Sequence, residues 1–460
     1  DAEEKIKKGV SIDSVDVSGM TASEATKALK TVVSDKTATT VTLDVNGKSV
    51  QTTLGNLGYK WSNKTVVDEA VNTGKIGNII KRYKDGLDLQ HNGMKFNVEM
   101  SFNKDTLKKK LQTICAEYEI KAQNASLEAT GHGFKIIKEK EGVTVDYDKT
   151  VEQLYTYVTE KWNKKANIKL TATTTVSKPK YTTEDCEKVS NEPMGSYTTE
   201  FSVGSSYANR NLNIQNGAKL INGAVVYPGE QYSCNENLYP WTEDNGWHPA
   251  GTYVDGGVQD SLGGGICQVS STLYNALLRA EIKVVKRFPH SMAVGYVPLS
   301  ADAALAGDYK DLVFENDTDA PIYVQGIYNS GGSITFNIYG HDTRKAGHSV
   351  KYESKTVKTT PVKTQTKKDS SKPVGYSEVE SSGHVGYVAE LWKITYENGK
   401  QVSKELIHTS TYAMSPTIVV KGTKKASTTT KKDDSDKDDK KSSEKTTKKS
   451  TSSKKSKKSE

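Results

Sequence analysis

The run Gly263-Gly264-Gly265-Ile266-Cys267-Gln268-Val269-Ser270-Ser271-Thr272-Leu273 decides how the core of this chain is read. Three successive glycines open backbone conformations closed to other residues and leave room for another chain to approach. Beyond them Val269, Leu273, Ala276, Leu277 and Ala280 recur at helical spacing on one face. The pattern predicts a helix over 267–279 with Cys267 in its first turn. Unpaired N–H groups and the helix dipole favour a thiolate there, and the thiolate is the nucleophilic form. The position equally suits a small, inert, buried residue beneath a glycine-rich turn.

A second chemical group follows 23 residues later, in Arg287-Phe288-Pro289-His290-Ser291. Strands are expected at Lys283–Arg287 and Ala293–Val297, which puts His290 at a proline-marked turn between them. A neutral imidazole within reach of a thiol takes its proton and holds the resulting ion pair. Cysteine plus histidine is the minimal equipment for thiol acyl transfer. Further strands at Ala224–Tyr227, Leu312–Glu315, Ile322–Ile327 and Ser333–Tyr339 and a helix at Leu212–Ile221 complete a strand-rich α+β domain over 189–346.

A chain of 460 residues calls for several domains. Residues 9–180 read as a duplicated α+β unit, with Gly58 and Gly142, and Thr65 and Thr150, as matching landmarks. The two repeats are placed at 1–85 and 86–188. In the second, a hairpin is expected from Ala125–Ala129 and Gly133–Lys138. Residues 347–423 read as an all-β module, with alternation in Val388–Tyr396, a turn at Asn398-Gly399 and a strand at Ser403–Ser410. The fold expected is therefore multidomain α+β: two repeats, a core domain built round one key helix, and a β module.

Residues 424–460 are Lys/Ser/Thr/Asp low complexity, expected to be disordered. Their 14 lysines against 7 acidic residues supply nearly all of the formal net charge of +8. The rest is close to neutral, which argues against nucleic-acid binding by the body of the protein and leaves the tail as a candidate contact for an anionic polymer or membrane surface. Four cysteines in so long a chain make no disulfide framework. Cys234 stands 33 residues before Cys267 and is a candidate neighbour or accidental disulfide partner. No cofactor is expected, and no metal, because His248 and His290 lack a partner at ligand spacing. No apolar window is long enough to span a membrane. The start at Asp1-Ala2-Glu3 leads us to expect an upstream signal or anchor, and so an extracellular, membrane-anchored protein.

The blocks Ile221-Asn222-Gly223, Pro228-Gly229-Glu230, Gly263 through Asn275, His290-Ser291, Tyr296-Val297-Pro298 and Asp302-Ala303 closely resemble the VanW domain. The opening Val15-Asp16-Val17-Ser18-Gly19-Met20-Thr21 and the helix after it resemble peptidoglycan-binding repeats of Gram-positive surface proteins. Gly375, Gly383, Gly386, Gly399 and Gly422 fall in a pattern similar to the G5 module.

The resemblance implies an L,D-transpeptidase that joins peptidoglycan stem peptides in 3→3 cross-links through a cysteine thioester. On that reading Cys267 is the nucleophile and His290 the base. Ser291, Asp302 or Asp311 orients His290, with Asp302 preferred. Backbone N–H groups of Gly265, Ile266 and Gln268 are the oxyanion donors. Candidate substrate contacts are Arg210, Asn213, Trp241, Trp247, Ser270, Arg287, Ser291 and Tyr296. Where the family often carries Gly-Arg before the aspartate, this chain has Ser300-Ala301. A substrate carboxylate would then need another cation, such as Arg210 or Arg287. Two other readings stay open: a non-catalytic peptidoglycan-binding scaffold with a structural Cys267, and a cysteine peptidase on the same stems.

Overall fold

The helical periodicity after the glycines is realised as a helix over Ile266–Arg279, buried along almost its whole length. In this computed structural model, which describes residues 3–254 and 257–428, the chain divides into two compact units. Among the described residues, one comprises 3–124 and 139–181, and the other 125–138 and 182–428.

The buried helix organises the second unit. It lies against a four-stranded antiparallel sheet whose order is Gly195–Glu200, Ser333–Tyr339, Ile322–Asn329, Ala224–Val226. Gly195 meets the helix so closely that a Cβ there would stand 2.3 Å from the Ala280 nitrogen. A buried Thr199–Thr272 hydroxyl pair, 2.7 Å apart, links the two elements. A second helix, Ala208–Ile221, also packs on the central one. A three-stranded sheet of Gln231–Ser233, Val313–Glu315 and Lys283–Lys286 joins the same core. The expected strand at Ala293–Val297 does not form. Those residues run as irregular chain, and Tyr296 faces a cavity rather than a sheet.

The β module is continuous with this core. His348–Thr360, Gly386–Glu397 and Lys400–Tyr412 make an antiparallel sheet. Leu391 from its central strand is buried in the same apolar cluster as the central helix. Glu281, just past that helix, is bridged by Lys393 at 2.6 Å, His348 at 2.7 Å and Arg344 at 3.2 Å.

The duplicated region is built by exchange rather than as two self-contained copies. The first hairpin, Thr40–Val45 with Lys48–Thr53, pairs in parallel with Ile168–Thr171 of the second copy. Val41, Leu43 and Leu54 then pack against Leu107, Leu111, Val151 and Leu154. The second hairpin, Ser126–Thr130 with Gly133–Ile137, expected within the second repeat, belongs to the other compact unit. Its apolar residues Leu127, Phe134 and Ile136 cluster with Cys186, Val189, Tyr323 and Tyr339. A two-stranded hairpin cannot bury its own apolar face, so it finds one on a neighbouring core. The helix Ile79–Asn92 was not anticipated. The tail expected to be disordered lies, from residue 429 on, outside the described residues.

Candidate active site

The glycine turn is shaped for close approach. Gly265 caps the helix at φ 101, a left-handed conformation that favours glycine. A Cβ on Gly264 would sit 2.5 Å from the backbone of Ala250, which belongs to the strand Pro249–Val254. Asn213 stitches the two together. Its Nδ2 donates to the carbonyls of Gly264 at 2.8 Å and His248 at 2.9 Å, and its Oδ1 accepts from the His248 N–H at 2.8 Å. The turn delivers the partly exposed Cys267 to the wall of a cavity of about 840 Å³.

Behind the thiol stands a chain of polar contacts. His290 Nδ1 is 2.6 Å from Asp302 Oδ2, and the same oxygen accepts the His290 backbone N–H at 2.7 Å. That leaves Nε2 for the thiol and for Tyr296 Oη, 3.4 Å away. Asp302 is 1% exposed. Its other oxygen meets Arg287 Nη2 at 3.0 Å and accepts from Tyr412 Oη. Leu305 N–H points at Cys267 Sγ at 3.4 Å.

These contacts set the charges. Burial pushes the Cys267 thiol up, but the His290 imidazole and the Leu305 N–H outweigh it and hold the thiol below its ordinary value. Burial alone would lower His290, yet its bonds to Asp302 and Cys267 raise it to about 9. Burial also opposes the Asp302 charge, and His290, Arg287 and Tyr412 nonetheless hold its carboxyl at about 2. A lowered thiol beside a raised imidazole favours a thiolate–imidazolium pair backed by the Asp302 carboxylate, an arrangement suited to thiol acyl transfer.

The structure thus brings Asp302, rather than Ser291 or Asp311, to His290. Asp311 instead accepts from Ser233 and from the Asn235 N–H at the start of the helix Cys234–Leu238. Ser291 lines the cavity, and its carbonyl accepts from Ala413 at 2.7 Å. Arg210, Trp241 and Tyr296 line the same cavity.

Four expected substrate contacts lie elsewhere. Trp247 is fully buried, with its indole N–H on the Leu238 carbonyl. Ser270 is buried and donates to Ala303 O at 2.6 Å. Asn213 is consumed by the glycine turn. Arg287 is 7% exposed and stands behind Asp302, so it cannot meet a substrate carboxylate. In each case a side chain rich in binding capacity is used to satisfy buried backbone or charge.

The oxyanion expectation also changes. The Ile266 and Gln268 N–H groups already bond the Gly263 and Gly265 carbonyls at 3.1 and 3.2 Å. Cys267's own N–H, second in the helix, lacks an intrahelical acceptor by construction. The Gln268 side chain is structural: it accepts from Arg210 at 2.8 Å and donates to Thr199 and Glu200. Cys234 is unpaired, buried, and pushed well up by desolvation. Sequence reasoning missed Leu305, Lys310 on the cavity wall and the β-module residues around Asp302.

Residues 209–339 match the family model described as VanW like protein, and every member of the Cys267–His290–Asp302 series falls inside that span. The chain carries a VanW domain. Residues 50–167 match a peptidoglycan binding domain and residues 351–424 a G5 domain.

The VanW region is similar to the uncharacterized protein YoaR of Bacillus subtilis (strain 168), 37% identical over 164 residues, covering 36% of this chain and 53% of that protein. It is also similar to the vancomycin B-type resistance protein VanW of Enterococcus faecalis (strain ATCC 700802 / V583). There the identity is 28% over 116 residues, covering 24% of this chain and 42% of that protein. The chain spans about half the length of these relatives. Among solved structures, an IgA1 protease G5 domain is 30% identical with a TM-score of 0.14, covering 18% of this chain and 96% of its own. HP0197-G5 is 23% identical with a TM-score of 0.12, covering 16% and 97%. Asp302 belongs to the VanW match, whereas His408, Ser410 and Tyr412 belong to the G5 match.

Proposed function

We propose that this protein is an extracellular, cell-wall-associated cysteine acyltransferase that forms 3→3 peptidoglycan cross-links. The presence of peptidoglycan binding and G5 domains supports the wall setting. The observation that carries the chemistry is the Cys267–His290 pair on the wall of one cavity, with Asp302 buried behind His290. Its volume is in the range that takes a drug-sized or short-peptide ligand.

In the proposed reaction the Cys267 thiolate attacks the carbonyl after the third residue of a stem tetrapeptide. Cys267 N–H at the helix start, with Tyr296 Oη nearby, receives the developing oxyanion. The C–N bond breaks, and the departing D-alanine amine takes the proton from the His290 imidazolium. Neutral His290 then accepts a proton from the amine of a neighbouring stem as that amine attacks the thioester. The C–S bond breaks and the thiolate–imidazolium pair is restored. Lys310 and Arg210 on the cavity wall are the cations offered to stem carboxylates.

The test incubates the purified chain and Cys267→Ala with disaccharide-tetrapeptide under reducing conditions. Mass spectrometry should find a thioester on Cys267 and 3→3 dimers with the wild type alone. Neither product from the wild type refutes the proposal. Tripeptide without dimer makes the protein a stem peptidase. Equal retention of unaltered substrate by both proteins makes it a scaffold.

A further inference from the structure

The G5 strand Lys400–Tyr412 presents His408, Ser410 and Tyr412 on one face, while Thr409 and Thr411 between them are exposed. This is the period of two expected of a strand with one buried side. All three inward side chains converge on Ser300. Tyr412 Oη accepts the Ser300 N–H at 2.8 Å, Ser410 Oγ lies 2.7 Å from Ser300 Oγ, and His408 Nε2 donates to the Ser300 carbonyl at 2.6 Å. His408 does this as a neutral ring, because burial and the nearby Arg287 charge lower it to about 4.

Ser300 needs such support. It sits at φ 68, a left-handed conformation that costs a non-glycine residue energy. It is also fully buried, so each of its polar atoms must find a protein partner. Two residues later comes Asp302. The same strand reaches it directly, since Tyr412 Oη also donates to Asp302 Oδ1. It reaches Arg287 as well, whose Nη1 donates to Ser410 Oγ at 2.9 Å. The strand is tied down at its end by Ala413 N–H on the Ser291 carbonyl, next to His290. Ser354 of the same module donates to the Leu299 carbonyl at 2.6 Å, and Tyr352 to Leu278 at 2.7 Å.

We infer that the G5 strand is a working part of the active site: Tyr412, with Ser410 and His408 beside it, positions the Ser300–Asp302 turn and so keeps His290 paired with Cys267. These are positioning residues; none touches the thiol. The inference rests on reading Cys267 as the reactive group, but not on which acyl group it carries. It turns a module otherwise taken for a wall-binding spacer into a condition for a reactive thiol. The charged and titratable groups around the Cys267–His290 pair are Asp302, Arg287, Arg210, Tyr296 and Tyr412, with neutral His408 behind them.

The test is the pH profile of Cys267 alkylation by iodoacetamide in the full chain, followed by peptide mass spectrometry, which needs no substrate. In Tyr412→Phe the ring remains, but both hydrogen bonds of the hydroxyl are lost. The Cys267 inflection should rise by about one pH unit, making alkylation near pH 7 roughly tenfold slower. Thr411→Val, on the exposed face of the same strand, should leave the profile unmoved. A Tyr412→Phe protein with wild-type circular dichroism and a wild-type profile overturns the inference. Should Tyr412→Phe fail to fold, Ser410→Ala is read in the same way, and an unmoved profile there overturns it equally. Failure of the transpeptidase assay with a shifted alkylation profile would refute the proposed reaction and leave this inference standing.

Discussion

Replacing Asp302 by asparagine removes one charge from a site that is 1% exposed and holds Arg287 and His290 on either side. In the native protein His290 is raised from 6.5 to about 9, which is worth roughly 3 kcal/mol, shared between its bonds to Asp302 and Cys267. With a neutral amide in place of the carboxylate, burial acts on the ring without that opposition, and the imidazolium is lost near neutral pH. The asparagine amide would also donate to Nδ1 and force the ring proton onto Nε2, the wrong tautomer to receive one from the thiol. Acyl transfer should fall by about 10³–10⁴-fold, the scale set by the same change in a serine triad. Alkylation of Cys267 near pH 7 should slow by about 10–100-fold as the thiol moves back up.

Stability carries a separate signature. Leaving Arg287 without its counter-charge should cost about 2–4 kcal/mol, reduced from the full value for a broken buried pair because its bonds to Ser410 and two carbonyls survive. Asp302 titrates at about 2 in the fold and near 3.8 without it, so its contribution is complete above the latter and fades as pH falls toward the former. His290 works in the opposite sense: its contribution is complete below 6.5 and is lost as pH rises through about 9. The urea midpoints of wild type and Asp302→Asn should therefore differ most between these windows, converge in acid, and narrow above about pH 9 to the part that Arg287 contributes. A pH-independent gap, or a folded variant with the wild-type alkylation profile, would refute the reasoning.

The rate of acyl transfer should decline above about pH 9, as the His290 imidazolium that protonates the leaving amine is lost, and should decline in acid as the thiolate is protonated; a pH–rate profile with no alkaline limb contradicts this. Native-state alkylation should label Cys267 alone, because Cys115 is pushed to about 11 and Cys234 and Cys186 are buried, and peptide mapping checks it. Gly264→Ala should lower stability by about 1–3 kcal/mol, since its Cβ would overlap the Ala250 backbone; a variant melting with the wild type would show that the turn can yield.

Much of the candidate site was legible because its signals are local. A glycine turn feeding an apolar 3.6-residue period announces a helix with a cysteine at its head, and a proline-marked histidine announces an aimed side chain. The preference for Asp302 came from resemblance, and the fold supplied its reason. Asn213, Ser270, Trp247 and Arg287 have chemistry that suits a ligand, but each is spent on buried partners that lie up to 123 residues away in the chain. The exchange of hairpins in the repeats was equally hidden, because an alternating strand announces that one face will be covered without naming what covers it.

By itself, then, the sequence determined the glycine turn, the central helix and the β module, since turn chemistry and hydrophobic period act over a few residues. Only the tertiary structure decided which acid stands behind His290 and that Tyr412, 110 residues from Ser300–Asp302, holds it there. The reason is physical: the positive φ of Ser300, the buried charge of Asp302 and the polar face of the G5 strand are each unfavourable alone. They are satisfied together, with Arg287 and His290, once packing has brought them into contact.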